Sequence, residues 1–212
     1  MFTRALLLLM LSGVVLSKEP LWVANFSVPS QGIEAFKQKG FVGRTDYQLV
    51  TLDGRQVLKA NSRKNASALY REMEIDLVDT PYLNWQWRVE NTLVIADQRI
   101  KAGDDYAARV YVVVKQGIFP WQTKALNYVW SNNPSSDAFW PNPFTDNAAM
   151  IPVRSGMAGL KKWQTERVNV AEDFYRAFGE RIDRAHGVAI MSDTDNSGGS
   201  AEAYFGNIFF SQ

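Results

Sequence analysis

Apolar and polar residues alternate with a period of two through most of this chain. Residues 83–90 place Leu83, Trp85, Trp87 and Val89 on one face of a strand and Asn84, Gln86, Arg88 and Glu90 on the other. The run 104–115 does the same, with Asp104, Tyr106, Ala108, Val110, Val112 and Val114 on one side and Asp105, Ala107, Arg109, Tyr111 and Val113 on the other. Further strands are predicted over 23–26, 47–52, 56–61, 67–77, 82–91, 125–131, 150–154, 163–170, 188–192 and 203–210. Asp53-Gly54 between two of them is a tight-hairpin dipeptide, because both residues tolerate positive backbone dihedrals. Only two helices are predicted. One covers 31–39, stopped by Gly40, and the other 171–178, where Phe174 and Phe178 lie four apart on one face and Gly179 closes the last turn. Many short strands with so little helix define an all-β fold, an antiparallel two-sheet β-sandwich of the jelly-roll kind.

The first 17 residues do not fit this pattern. Arg4 precedes an apolar run of about 12 residues, 5–16, and Val15 and Ser17 are small enough for the cleavage-pocket positions before Lys18. The run falls short of the roughly 20 apolar residues that span a bilayer. Residues 1–17 are therefore expected to be a signal peptide, and 18–212 a single domain with no membrane span, periplasmic or secreted from a bacterium. The mature part carries 22 cations and 22 anions. A neutral chain lacks the basic surface that grips nucleic acid. The absence of Cys excludes disulfides, thiol catalysis and iron–sulfur centres, and a single His, His186, argues against an imidazole-built zinc or copper site. With no G-x-S-x-G elbow near Ser192 or Ser200, His186 gives no serine-hydrolase signature.

Several polar and aromatic groups remain as candidates. Trp85 and Trp87 lie about 7 Å apart along their strand, a spacing that makes either a platform for a sugar ring or part of the core. Asp104 and Asp105 point to opposite faces, so they do not form the paired carboxylates of a glycosidase without a bulge between them. Asp105 and Arg109 share a face but sit about 13 Å apart, so each needs a partner from a neighbouring strand. In Asp193-Thr194-Asp195-Asn196-Ser197-Gly198, oxygen donors alternate and a glycine stands sixth, like the first half of a calcium loop. The glutamate expected at the twelfth position is Tyr204, with Glu202 two places early. Asp193, Asp195, Ser197 and Glu202 are the candidate calcium ligands; the other reading is a hairpin turn whose side chains cap their own backbone. The segment 131–147 is too long for a simple hairpin, and its Phe139, Trp140 and Phe144 sit among the amides of Asn132, Asn133 and Asn142, a mixture suited to glycans or to a packed lid.

LNWQWRV at 83–89, AGDDYAARVYVV at 102–113, LNYVW at 126–130, ERVNV at 166–170 and IMSDTDNSGGSAEAYFGNIFF at 190–210 together resemble a bacterial family of exported proteins, domain-of-unknown-function family 3047. The resemblance covers nearly all of the mature chain. It implies an envelope or secreted β-sandwich, similar to galactose-binding-like and other carbohydrate-binding modules, and brings no activity with it. Trp85, Trp87, Arg88, Asp104, Asp105, Arg109, Trp130, Glu166, Asn169, Asp193, Asp195 and Asn196 are its marks of membership.

The function expected from the sequence is recognition of a carbohydrate or glycoconjugate of the cell envelope by a noncatalytic sandwich. The expected ligand-binding residues are Trp85, Trp87, Arg88, Asp105, Arg109, Trp130, Trp140 and Asn196. One alternative is an enzyme acting on envelope or extracellular polysaccharide, with Asp104 or Asp105, Glu166 and Asp193 as acid/base groups and Arg109 stabilising negative charge. The other is a structural envelope protein that binds another protein.

Overall fold

The computed structural model describes residues 19–117, 119, 122–134 and 137–212, so the expected leader lies outside the described residues. One sheet holds β1 (Leu21–Ala24), β3 (Asp46–Leu52), β4 (Arg55–Arg63), β6 (Tyr82–Val89), β11 (Gln164–Asn169) and β13 (Ser200–Ser211). Its order is β11-β6-β13-β4-β3, and β1 also pairs with β13. The second sheet holds β2 (Lys37–Val42), β5 (Ala66–Asp76), β7 (Arg109–Lys115), β8 (Thr123–Ser131), β9 (Trp140–Asn142), β10 (Thr145–Ser155) and β12 (Arg184–Asp193). Its order is β2-β5-β12-β7-β8-β10-β9. Pairing is antiparallel except between β8 and β10, which run parallel. The result is the predicted two-sheet β-sandwich. Among the described residues no helix is long and apolar enough to cross a membrane.

The alternation read from the sequence decides what lies between the sheets. β6 contributes Leu83, Trp85, Trp87 and Val89, all buried, facing Val110, Val112 and Val114 of β7 and Leu126, Tyr128 and Trp130 of β8. Trp85 and Trp87 meet edge to face at 5.4 Å, and Trp87 and Trp130 do so at 5.8 Å. The Asp53-Gly54 turn has φ of 51° and 76°, the two positive values that the β3–β4 hairpin demands. The helix α1 (Val170–Phe178) is capped by the Asn169 side chain, which accepts from Glu172 N, and ends at Gly179 with φ 72°.

Three expectations need correction. Residues 31–39 do not form a helix: two short 3-10 turns, Pro29–Gln31 and Ile33–Ala35, are followed by β2. Phe36 is already extended, and the open edge of β5 offers β2 a ladder that a nine-residue helix cannot match. The predicted strand 104–115 starts only at Arg109, because the 3-10 turn Lys101–Gly103 precedes it and Asp104 adopts φ −78° with ψ 53°. The alternation that put Asp104 opposite Arg109 therefore stops short of Asp104. Nor is 194–199 a hairpin loop: β12 and β13 lie in different sheets, and this segment carries the chain from one layer to the other.

Candidate functional site

The outer face of the seven-stranded sheet is where polar groups gather. Arg109 starts β7 on that face and is only 2% exposed. Its Nε donates to Asp193 Oδ1 at 2.8 Å and its Nη2 to Asp193 Oδ2, so the guanidinium grips this carboxylate with two prongs. Nη1 reaches Asp104 Oδ1 at 3.4 Å and Tyr111 Oη at 3.3 Å, while Nη2 also donates to the Asp104 carbonyl. Arg109 stands directly beside Met191 in the β7–β12 register, two residues before Asp193. That adjacency, together with the turn that brings Asp104 back, builds the cluster. Tyr106 N adds a 3.2 Å hydrogen bond to Asp193 Oδ1.

Asp105 has a different task. Its carboxylate accepts from Asn196 N and Asn196 Nδ2, both at 3.2 Å, and from Ser197 N, which fixes the crossover segment against the start of β7. Its carbonyl is held by Asn132 Nδ2 at 2.6 Å. Asn196 and Asp195 are thereby placed on the rim of a cleft of about 470 Å³. Asp104, Arg109, Asp193 and Tyr111 line it beside Ala66, Met191 and Ala148. Asn142 on β9 lines it too and donates to Asp104 Oδ2 at 3.2 Å. Two exposed aromatic rings complete the wall, Phe41 at 58% and Phe144 at 55%. Convergent polar groups among apolar walls are what small-ligand sites offer. A larger hollow of about 730 Å³ beside α1 has only exposed charges, Glu172, Arg176, Arg181 and Asp183, among its charged lining and lacks such a floor.

Burial dominates the electrostatics of the cluster. It pushes the Asp193 carboxyl up to about 8, although Arg109 pulls the other way. Burial also raises Asp104, against Arg109 and Asn142, and raises Asp195. A carboxyl whose pKa is raised by folding binds more protons in the folded than in the unfolded chain between about 4 and 8. Its contribution to stability is complete below pH 4 and is lost as pH rises through 8. The melting temperature is accordingly expected to rise from pH 8 to pH 5, and Asp193→Asn to flatten that slope. A steady fall of melting temperature over the same interval, measured by scanning fluorimetry, contradicts this assignment.

The structure separates several residues that the sequence had grouped. Trp85, Trp87 and Trp130 are sealed between the sheets at 1% exposure or less, so no ligand reaches their faces. Trp140 is 4% exposed, packed with Tyr106, Val129 and Met150. These four indoles are core, and the sugar platform expected of them is withdrawn: the wet side of β6 carries Arg88, while the apolar side meets the opposite sheet. Arg88 faces away from the cleft, on the six-stranded sheet, paired with Glu90 and Asp53. Glu166 is remote from Asp104 and Asp105. It sits on β11, accepting from Trp87 Nε1 at 3.0 Å and pairing with Arg154 at 2.7 Å, so it does not complete an acid/base set with them. Of the four expected calcium ligands only Asp193 and Asp195 come together, joined by Asp105, with carboxylate oxygens within 4.8 Å of one another. Glu202 points to the outer face of the other sheet and pairs with Lys59 at 2.8 Å, and Ser197 Oγ accepts from Gly199 N. Since Asp193 is bound to Arg109 and Asp105 to loop amides, the cluster as built fastens the crossover to the sheet. His186 Nδ1 accepts from Lys115 N at 3.1 Å.

Among the cleft residues that were not singled out in the sequence are Phe41, Val42 and Tyr111. Phe41 and Val42 fell in the unassigned stretch after Gly40, the expected stop of the helix 31–39, where the structure instead continues β2. Tyr111 carried a legible signal, since alternation from Arg109 places it on the same face.

The architecture defines a class: a two-sheet β-sandwich of the kind found in carbohydrate-binding modules. The family 30 carbohydrate-binding module of the cellulosomal cellulase Cel9D-Cel44B of Clostridium thermocellum superposes with a TM-score of 0.50 at 10% identity, over 93% of this chain and 95% of that one. The family 11 module of Lic26A-Cel5E from the same organism gives 0.47 at 7% identity, over 91% and 94%. The glycoside hydrolase domain of Endo-D from Streptococcus pneumoniae R6 gives 0.40 at 10% identity, over 83% of this chain and 21% of that one. At such identities the likeness concerns the fold alone. Residues 34–209 match DUF3047, described as "Protein of unknown function", and the chain belongs to that family. No curated protein matches the sequence.

Proposed function

We propose that this protein is an exported, noncatalytic β-sandwich that holds a carbohydrate or glycoconjugate of the cell envelope in the cleft over Arg109. One observation carries the reading: a 470 Å³ cleft whose floor is an ion-paired Arg109–Asp193–Asp104 cluster and whose rim is Asn142, Asn196 and the exposed rings of Phe41 and Phe144. The rim amides of Asn142 and Asn196 and the half-buried Asp195 carboxylate offer hydrogen bonds to sugar hydroxyls, and flat aromatic faces suit the C–H side of a pyranose. Arg109 holds Asp104 and Asp193 in place, so the floor is preorganised before any ligand arrives.

A hydrolase reading draws on Asp193, an acid raised to about 8 beside a second carboxyl in a cleft. Against it, Asp193 is 2% exposed with both oxygens bound to Arg109, which leaves neither free to protonate a leaving group. A reducing-sugar release assay on any glycan that binds separates the two. The binding reading predicts that a glycan array retains the protein and that Phe144→Ala weakens retention about tenfold, with the melting temperature hardly changed. A blank array for the unaltered protein sinks the proposal and favours a protein partner.

A further inference from the structure

A second hollow of about 380 Å³ adjoins the cleft and shares Phe41, Tyr111 and Met191 with it. The two form one groove whose course follows from the register. Its floor is the outward face of three neighbouring strands: Ala66, Ala68, Tyr70 and Glu72 from β5, Asp193, Met191 and Ala189 from β12, and Arg109, Tyr111 and Val113 from β7. The groove runs parallel to these strands. Ala66 to Glu72 is six residues, or ~20 Å at ~3.3 Å per residue. Further along, Tyr70, Ala189 and Tyr111 stand in one cross-strand row, so the backbones of two tyrosines flank an alanine at a separation of about 10 Å. Ala66, Ala68 and Ala189 leave room above the strands, while Tyr111 leans over the floor with its Oη 3.5 Å from Met191 Sδ.

We infer that the ligand is an extended, neutral glycan chain laid along β12, with sugars held both at the Asp104–Arg109 cleft and over the Tyr70–Ala189–Tyr111 row. This inference rests on the glycan reading and names its substrate class. A floor of interior strands has its backbone N–H and C=O groups committed to the ladders on both sides, so an extended peptide finds no strand to pair with there. What the floor does offer is phenol rings, carboxylates and amides, the partners of a polyhydroxylated ring. The acids lining the groove, Asp104, Asp195 and Glu72, outnumber its cations, Arg109 and Lys39, even with Asp193 holding its proton up to about pH 8. A uronic-acid or sulfated chain would add like charges beside buried carboxyls, an unfavourable encounter.

Calorimetric titration with linear neutral oligosaccharides of one to six sugars, on gluco-, manno-, galacto- and xylo- backbones, tests the proposal, with oligogalacturonates as the acidic series. The expected result is an affinity that rises about tenfold between two and four sugars on the backbone that binds. Tyr70→Ala should erase that gain while leaving the disaccharide unaffected, Tyr70→Phe should keep it, and oligogalacturonates should bind more weakly at every length. Equal affinity at all lengths, or a Tyr70→Ala protein that keeps its folding transition and the full length dependence, overturns the extended chain but leaves a glycan at the cleft. Stronger binding of oligogalacturonates overturns the neutral assignment. If no series binds at all, the glycan reading itself fails and the inference with it.

Discussion

Arg109→Met is expected to destabilise the protein by about 3–5 kcal/mol, the usual loss when one partner of a buried ion pair is removed. The methionine fills much of the space, but the Asp193 carboxyl loses two hydrogen bonds, and the Asp104 carboxyl and carbonyl lose theirs. At roughly 2–4 °C per kcal/mol for a domain of this size, the melting temperature falls by about 10 °C. The loss depends on pH in a stated direction. At pH 5 Asp193 carries its proton with or without the cation, whereas near pH 8 a large fraction of the unaltered protein holds it ionised against Arg109, so the variant is penalised less at pH 5 than at pH 8. Arg109→Lys restores charge but not the two-pronged grip, and recovers only part of the loss. An Arg109→Met protein that melts like the unaltered one at pH 8 shows that this cluster does not hold β7, β12 and the Asp104 turn together.

Trp87→Ala is the second large effect, about 3–5 kcal/mol, because a fully buried indole leaves a cavity that the two sheets cannot close. Its edge-to-face contacts with Trp85 and Trp130 disappear, and Glu166 Oε1 loses its indole donor while keeping Arg154. Trp87→Phe retains a ring and gives up chiefly the hydrogen bond, about 1 kcal/mol. Thermal melts measure both. Trp87→Ala with an unchanged melt and a lost glycan signal describes a ligand platform rather than core, and reverses the placement of β6.

How far the sequence foretold this arrangement varied with the physics involved. Period two along β6 and β7 specified the inner and outer faces residue by residue, since a one-residue slip would turn every tryptophan to water. The Asp53-Gly54 hairpin and the ends of α1 were legible for an equally local reason: each depends on backbone dihedrals that few residues tolerate. The site was legible only in its parts. Arg109, Asp193, Asp195 and Asn196 were recognisable as polar groups with work to do, but their meeting depends on β7 and β12 pairing and on the turn at Asp104 that breaks the alternation. Phe41 was lost because the helix read over 31–39 makes Gly40 a stop and leaves the next residues as loop, until β5 presents an edge that β2 joins. The aromatic residues drew attention to the wrong surface. Alternation alone says that two tryptophans share a face, and only the second sheet says that the face is covered.

The most direct test of the central claim, that ligand is held on the outer face of the seven-stranded sheet, is backbone amide shift mapping by NMR during titration with a glycan retained on the array. The account predicts the largest shifts at Tyr111, Asn142, Phe144 and Asn196, spreading along β12 towards Ala189. Shifts concentrated around Arg88, Trp163 and Tyr204, on the far side of the sandwich, would contradict it.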